Sequence, residues 1–160
     1  LSAIPLIEGD TKTLLSDRVG AGFLWSPSGE RDLMSTTDPA HPEKSVLALM
    51  NSSGGELRVL ENASSFIGKA TWSKNGRTVY YALPGSLPES AVLPNDYYEK
   101  NLHSQDSFWR MDVENNKAER LVDLKDLTEA YDASDLFLSP KEDALYFIER
   151  KNLKLYRIEL

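Results

Sequence analysis

Few side chains in this 160-residue chain could do chemistry, and they are scattered. The two histidines, His41 and His103, each lack a second histidine nearby. His103 and Asp106 stand three residues apart, a spacing that could bring two ligands to one metal, but no third ligand follows, so surface histidine is expected. Ser104 beside His103 is not a catalytic pair, and no Gly-x-Ser-x-Gly elbow exists. Gly54-Gly55 reads as a turn, since neither a Gly-x-x-x-x-Gly-Lys-Ser/Thr nor a Gly-x-Gly-x-x-Gly run is present. Asp123, Asp126, Glu129, Asp132 and Asp135 could attract Ca²⁺, but they lack the alternating Asp-x-Asp-x-Asp-Gly pattern of a dedicated loop. A solvated acidic loop is expected there. The absence of cysteine excludes disulfides, thiolate metal sites and a cysteine nucleophile. The residues thus point to no catalytic group, no cofactor and no metal.

Composition narrows the partners. A net charge of -7 argues against binding a nucleic-acid backbone or an anionic membrane surface. There is no apolar run near 18 residues and no signal peptide, so no membrane insertion of this segment is expected. The chain opens on Leu1 rather than Met, as expected of a processed or excised piece. The composition, 41% hydrophobic and 27% charged, is that of a globular domain.

The elements that must position any site come from a repeat. Phe23-Leu24-Trp25-Ser26-Pro27-Ser28-Gly29 recurs as Ala70-Thr71-Trp72-Ser73-Lys74-Asn75-Gly76, and more weakly as Phe137-Leu138-Ser139-Pro140-Lys141-Glu142-Asp143. A β-rich run follows each copy: Leu33–Thr36, Val79–Ala82 and Leu145–Ile148. The second unit reads as four strands, 69–72, 78–83, 108–113 and 118–122, and the first as 22–25, 33–36, 46–50 and 57–60. The third gives 136–138, 144–148 and 155–160 with its fourth strand missing. Residues 3–7 and 12–15 read as the tail of a preceding unit. Helix signals are weak; the best is 124–130, with acids at three-residue spacing. Four short antiparallel strands repeated every ~40–50 residues is the pattern of a β-propeller blade, which a β-sandwich has no reason to repeat. The expected organisation is one all-β partial propeller domain: a blade tail over 1–16, a blade over 20–61, a blade over 66–123 carrying an insertion over 84–107, and an incomplete blade over 134–160.

The motif Trp-Ser-Pro-x-Gly, with the later strands Phe108–Val113 and Lys154–Ile158, resembles TolB-type, WD-repeat-like propellers. Glu142-Asp143 departs from the usual glycine in the third copy. The resemblance implies mostly extracytoplasmic bacterial proteins with roles in protein–protein contact. Similar blades form the non-catalytic gate of prolyl-oligopeptidase-type peptidases. No catalytic residue carries over, because the motif is structural.

About three blades cannot close a ring of 4–8. The chain is therefore expected either to be part of a larger propeller or to form a homodimer. In the dimer, the 12–15 strand of one copy would complete the last blade of another. Asp32 breaks the repeat, because Val79 and Leu145 occupy its matching positions; it is either exposed, with the strand starting one residue later, or adapted to an interface. Leu153 stands where a turn prefers Gly. Trp25, Trp72 and Trp109 are expected as blade-packing residues.

The long insertion is the best candidate for function, since long loops on rigid scaffolds carry binding. Its Tyr97, Tyr98, His103 and Asp106 form a candidate interaction loop for a protein ligand. The leading expectation is a non-enzymatic propeller module for protein contact or self-assembly. The alternatives are a gate or accessory domain of a larger hydrolase, or a propeller glycan-active enzyme whose carboxylates, such as Asp17, Asp38 and Asp135, would converge from several blades.

Overall fold

The local unit behind the repeat is a serine-anchored turn. In the first copy the Ser26 hydroxyl accepts the Arg31 N–H at 3.2 Å, and Gly29 closes the turn at φ 73°. In the second, Ser73 Oγ accepts the Thr78 N–H at 3.0 Å, and Gly76 sits at φ 66°. In the third, Ser139 Oγ accepts the Asp143 N–H at 3.1 Å, and Glu142 takes the same left-handed backbone at φ 58°. The turn needs one side-chain acceptor and one positive φ, which is why serine recurs and glycine is favoured without being obligatory.

These turns nucleate strands in a computed structural model that describes residues 1–18, 20–38, 40–85, 87–99 and 102–160. A short hairpin of β1 (Ser2–Ala3) and β2 (Lys12–Thr13) comes first. The first blade is β3 (Gly22–Trp25), β4 (Arg31–Asp38), β5 (His41–Asn51) and β6 (Arg58–Val59), in that spatial order. The second is β7 (Ala70–Trp72), β8 (Thr78–Leu83), β9 (Ser107–Asp112) and β10 (Lys117–Arg120). The third has three strands, β11 (Ala133–Leu138), β12 (Ala144–Glu149) and β13 (Lys154–Glu159). All pairings are antiparallel.

The core lies between the sheets. Leu33, Leu47 and Leu49 of the first blade pack on Val79, Tyr81, Trp72 and Met111 of the second. Tyr80, Ala82 and Phe108, on the opposite side of the second blade, pack on Leu145 and Phe147 of the third. Each blade thus has a leading face turned to its predecessor and a trailing face turned to its successor, as the two-residue alternation of a strand requires. Polar ties reinforce the junctions. Trp72 Nε1 donates to the Leu24 carbonyl at 2.9 Å, Arg58 Nη2 donates to the Val113 carbonyl, and the Lys74 amide donates to Glu142 Oε1 at 2.5 Å.

Several expectations change. The 124–130 segment is a 3-10 turn over Leu124–Asp126, the helix type that a three-residue spacing suits. The first hairpin is shorter than the sequence suggests, with Pro5 two residues beyond the end of β1. Asp32 is not exposed: β4 begins at Arg31 and the Asp32 carboxylate is fully buried. Trp25 is 39% exposed, unlike Trp72.

Candidate functional site

The hairpin β8–β9 opens at Leu83 and Ser107, the same end at which the inner strands β7 and β11 begin. The insertion, the approach to β7, the approach to β11 and the β12–β13 connection therefore gather on one face of the blades. The insertion carries α1 (Asn95–Glu99) and a small core of its own, with Phe66, Ala91, Leu93 and Tyr97 buried together. The Phe66 and Tyr97 rings stack at 4.8 Å. Leu93 reaches back to the first blade, where its carbonyl accepts from Thr37 Oγ1 at 2.6 Å and its N–H donates to the Pro42 carbonyl at 2.9 Å. Ser86, Lys100 and Asn101 of this segment lie outside the described residues.

At the other end of the insertion sits a buried ion network. Lys69, at the end of a 3-10 turn over Ile67–Lys69, is 2% exposed. Its ammonium donates to Asp106 Oδ2 at 2.6 Å, Asp132 Oδ1 at 2.8 Å and the Ala133 carbonyl at 2.6 Å. Tyr97 OH and Ser104 Oγ also donate to Asp132 Oδ1, the latter at 3.0 Å. Asp132 Oδ2 takes Arg150 Nη1 at 2.9 Å and stands 2.9 Å from His103 Nδ1. Asp106 accepts from Ser104 Oγ at 2.6 Å and the Ala133 N–H at 2.7 Å. The Arg150 guanidinium lies over the Tyr97 ring at 4.1 Å.

The electrostatics follow the burial. Desolvation alone would push Asp132 up, but the Lys69 charge and the bonds from Lys69, Tyr97 and His103 outweigh it and hold the carboxyl well below the usual range. At Asp106 desolvation wins over Lys69, and its value is raised. Burial and the hydrogen bond to Asp132 push the Tyr97 phenol up.

Three of the four candidate residues thus belong to one network: Tyr97 and His103 bond the Asp132 carboxylate, and Asp106 joins it through Lys69 and Ser104. Tyr97 and Asp106 are buried and point inward, whereas Tyr98 is 55% exposed and His103 is exposed at the rim. A cavity of about 280 Å³ opens beside the network, lined by Lys69, Tyr97, Tyr98, Ser134, Asp135 and Arg150. Sequence reasoning missed Lys69 and Arg150, and it placed Asp132 in a solvated loop that the structure buries completely. Among the described residues no group of three or more His, Asp or Glu is placed to hold a metal ion, and no helix is long and apolar enough to cross a membrane.

No family model and no curated protein sequence matches the chain. Solved structures do match its fold. TolB from Acinetobacter baumannii aligns with a TM-score of 0.63 at 15% identity, over 94% of this chain and 32% of the other. A putative TolB from Agrobacterium tumefaciens gives 0.57 at 19% identity, over 84% and 40%. Oligogalacturonate lyase from Vibrio parahaemolyticus gives 0.56 at 9%, over 93% and 38%. The tricorn protease gives 0.55 at 15%, over 91% of this chain and 12% of the protease. The chain therefore spans about a third of the length of the first TolB structure. Its fold is that of part of a TolB-type β-propeller.

Proposed function

We propose that this chain is a non-enzymatic propeller module that works by protein–protein contact, with the insertion face as its binding surface and self-assembly as its second mode. The observation that carries the reading is the saturation of the polar network. Both carboxylates, Asp106 and Asp132, are already engaged by Lys69, Arg150, Tyr97, Ser104 and the Ala133 amide. Such a cluster clamps the insertion to the blades and leaves Tyr98 and Val92, 55% and 54% exposed, facing outward as contact residues. The likeness in fold to the two TolB structures supports an extracytoplasmic setting.

Cross-linking in a bacterial extract, followed by peptide mapping, tests the reading. Cross-links to a protein partner are expected on the insertion face and lost in Tyr98→Ala and Val92→Asp. Cross-links confined to the serine-turn face would overturn it.

One observation favours an enzymatic reading: His103 Nδ1 is held by a buried carboxylate while its ring is 32% exposed. Because one similar structure is an oligogalacturonate lyase, oligogalacturonate is the substrate to try. Turnover that disappears in His103→Ala would establish that reading and remove the non-enzymatic one.

A further inference from the structure

One acid beside the buried network takes no part in it. β11 is interrupted by a bulge between Ser134 and Phe137, and Asp135 stands in the bulge with a left-handed backbone at φ 51°. A bulge re-aims a side chain out of the strand's alternation. Asp135 is exposed and lines the cavity of about 280 Å³. Its one described partner is the Ser134 hydroxyl, which donates to Oδ2 at 2.8 Å. Every residue lining this cavity belongs to the second blade, its insertion or the third blade, so the cavity is complete within the chain.

The other charges around the cavity are already engaged. Lys69 Nζ is held by Asp106, Asp132 and the Ala133 carbonyl, and Arg150 by Asp132 and the Leu102 carbonyl. Glu149, buried behind Asp132, accepts from the Lys151 and Asn152 amides. The carboxylates of Asp106, Asp132, Asp135 and Glu149 thus face only two buried cations, Lys69 and Arg150, and the balance favours an incoming positive group. Tyr98, 55% exposed, forms another wall. Burial pushes its phenol up, with Lys69 and Arg150 pulling it down and Asp135 adding to the rise, so all three charges lie within reach of this ring. The neighbouring Tyr97 ring carries Arg150 at 4.1 Å, whereas among the described residues no cation lies over Tyr98.

We infer that this cavity takes an arginine side chain of a partner protein, its guanidinium bonded to Asp135 and laid against the Tyr98 ring. A planar guanidinium meets a carboxylate and an aromatic face together, which a compact, strongly hydrated ammonium does less well. At about 280 Å³ the cavity falls just below the range of about 300–1,000 Å³ typical of small-molecule sites, so it fits one side chain. Residues 84–107 carry Glu89, Asp96, Glu99 and Asp106 against a single lysine, which steers a basic partner to this face. The inference rests on the protein-contact reading proposed above and names the chemistry of the partner.

Nuclear magnetic resonance titration with Nα-acetyl-arginine amide is the test. Saturable shifts are expected at Gly68, Tyr98 and Asp135. The neutral isostere Nα-acetyl-citrulline amide should bind about tenfold more weakly, and Nα-acetyl-lysine amide should also bind more weakly. Asparagine tolerates a left-handed backbone, so Asp135→Asn should leave the circular dichroism unchanged and weaken the arginine probe about tenfold. Tyr98→Leu should weaken it about threefold. Absence of saturable shifts at these residues, or equal binding by Asp135→Asn or by citrulline, overturns the inference and leaves the contact reading standing. Equal binding of the lysine probe overturns the assignment to arginine. If the arginine probe binds as expected while the wild-type chain gives no partner cross-links on the insertion face, the contact reading falls and the inference with it.

Discussion

At the scale of single residues, two buried acids pull stability in opposite directions with pH. Burial pushes Asp32 up to about 7, and the Leu24 backbone amide offsets only part of this. Its folded value lies above the ordinary 3.8, so the native state holds the proton more tightly. The stability linked to that proton is fully present below pH 3.8 and is lost as pH rises through 7. Asp32→Val should remove this dependence and stabilise the fold at pH 8 by about 2–4 kcal/mol, read from urea midpoints at pH 4 and pH 8. Asp132 behaves in the reverse sense. Its value is depressed, so its contribution is present above the ordinary carboxylate range and is lost as pH falls through that range and below. Lys69→Met would leave Asp106 and Asp132 without their ammonium and should cost about 3–5 kcal/mol in urea unfolding at pH 7. A cost below about 1 kcal/mol would mean that the network holds nothing together.

At the scale of elements, local chemistry was legible and distant chemistry was not. Ser26, Ser73 and Ser139 announce their turns because acceptor and amide lie within five residues of each other. β3 and β8 have the bounds read from the sequence, since alternating burial is written in consecutive residues. Lys69 and Asp132 are 63 residues apart, and nothing near either announces the other. Asp132 hid within a run of acids that looked uniformly solvated. Tyr97 looked like a contact residue because an aromatic in a loop gives no sign of whether a Phe66 waits beneath it. The turn after β12 offers a test at this scale. Leu153 sits at φ 57° with its side chain 79% exposed, a left-handed backbone that a branched side chain resists. Leu153→Gly should raise stability by about 1 kcal/mol, measured by thermal unfolding. A loss instead would show that the leucine side chain makes a stabilising contact that outweighs the backbone strain.

At the scale of the whole molecule, blades touch only their neighbours, so stability is close to a sum of sheets and junctions. Phe108 lies in the cluster between the second and third blades, its ring tilted against that of Phe147 with centroids 4.7 Å apart. Phe108→Ala should cost about 3–5 kcal/mol at that junction. Hydrogen exchange should then quicken across β11–β13 while β4 and β5 keep their protection. Uniform loss of protection would mean that the insertion, which ties the first blade to the second and third, couples the sheets into one cooperative unit.

The ties between blades have a geometric consequence. The Lys69–Asp132 bond grips the second junction on one face, and the Lys74 amide bound to Glu142 grips it on the opposite face. Together they fix the wedge angle from one sheet to the next. In a circle built of equal wedges, that angle alone decides how many sheets return to the start. Lengthening one tie and shortening the other would change the curvature, and with it the number of blades that any ring built from this chain would hold.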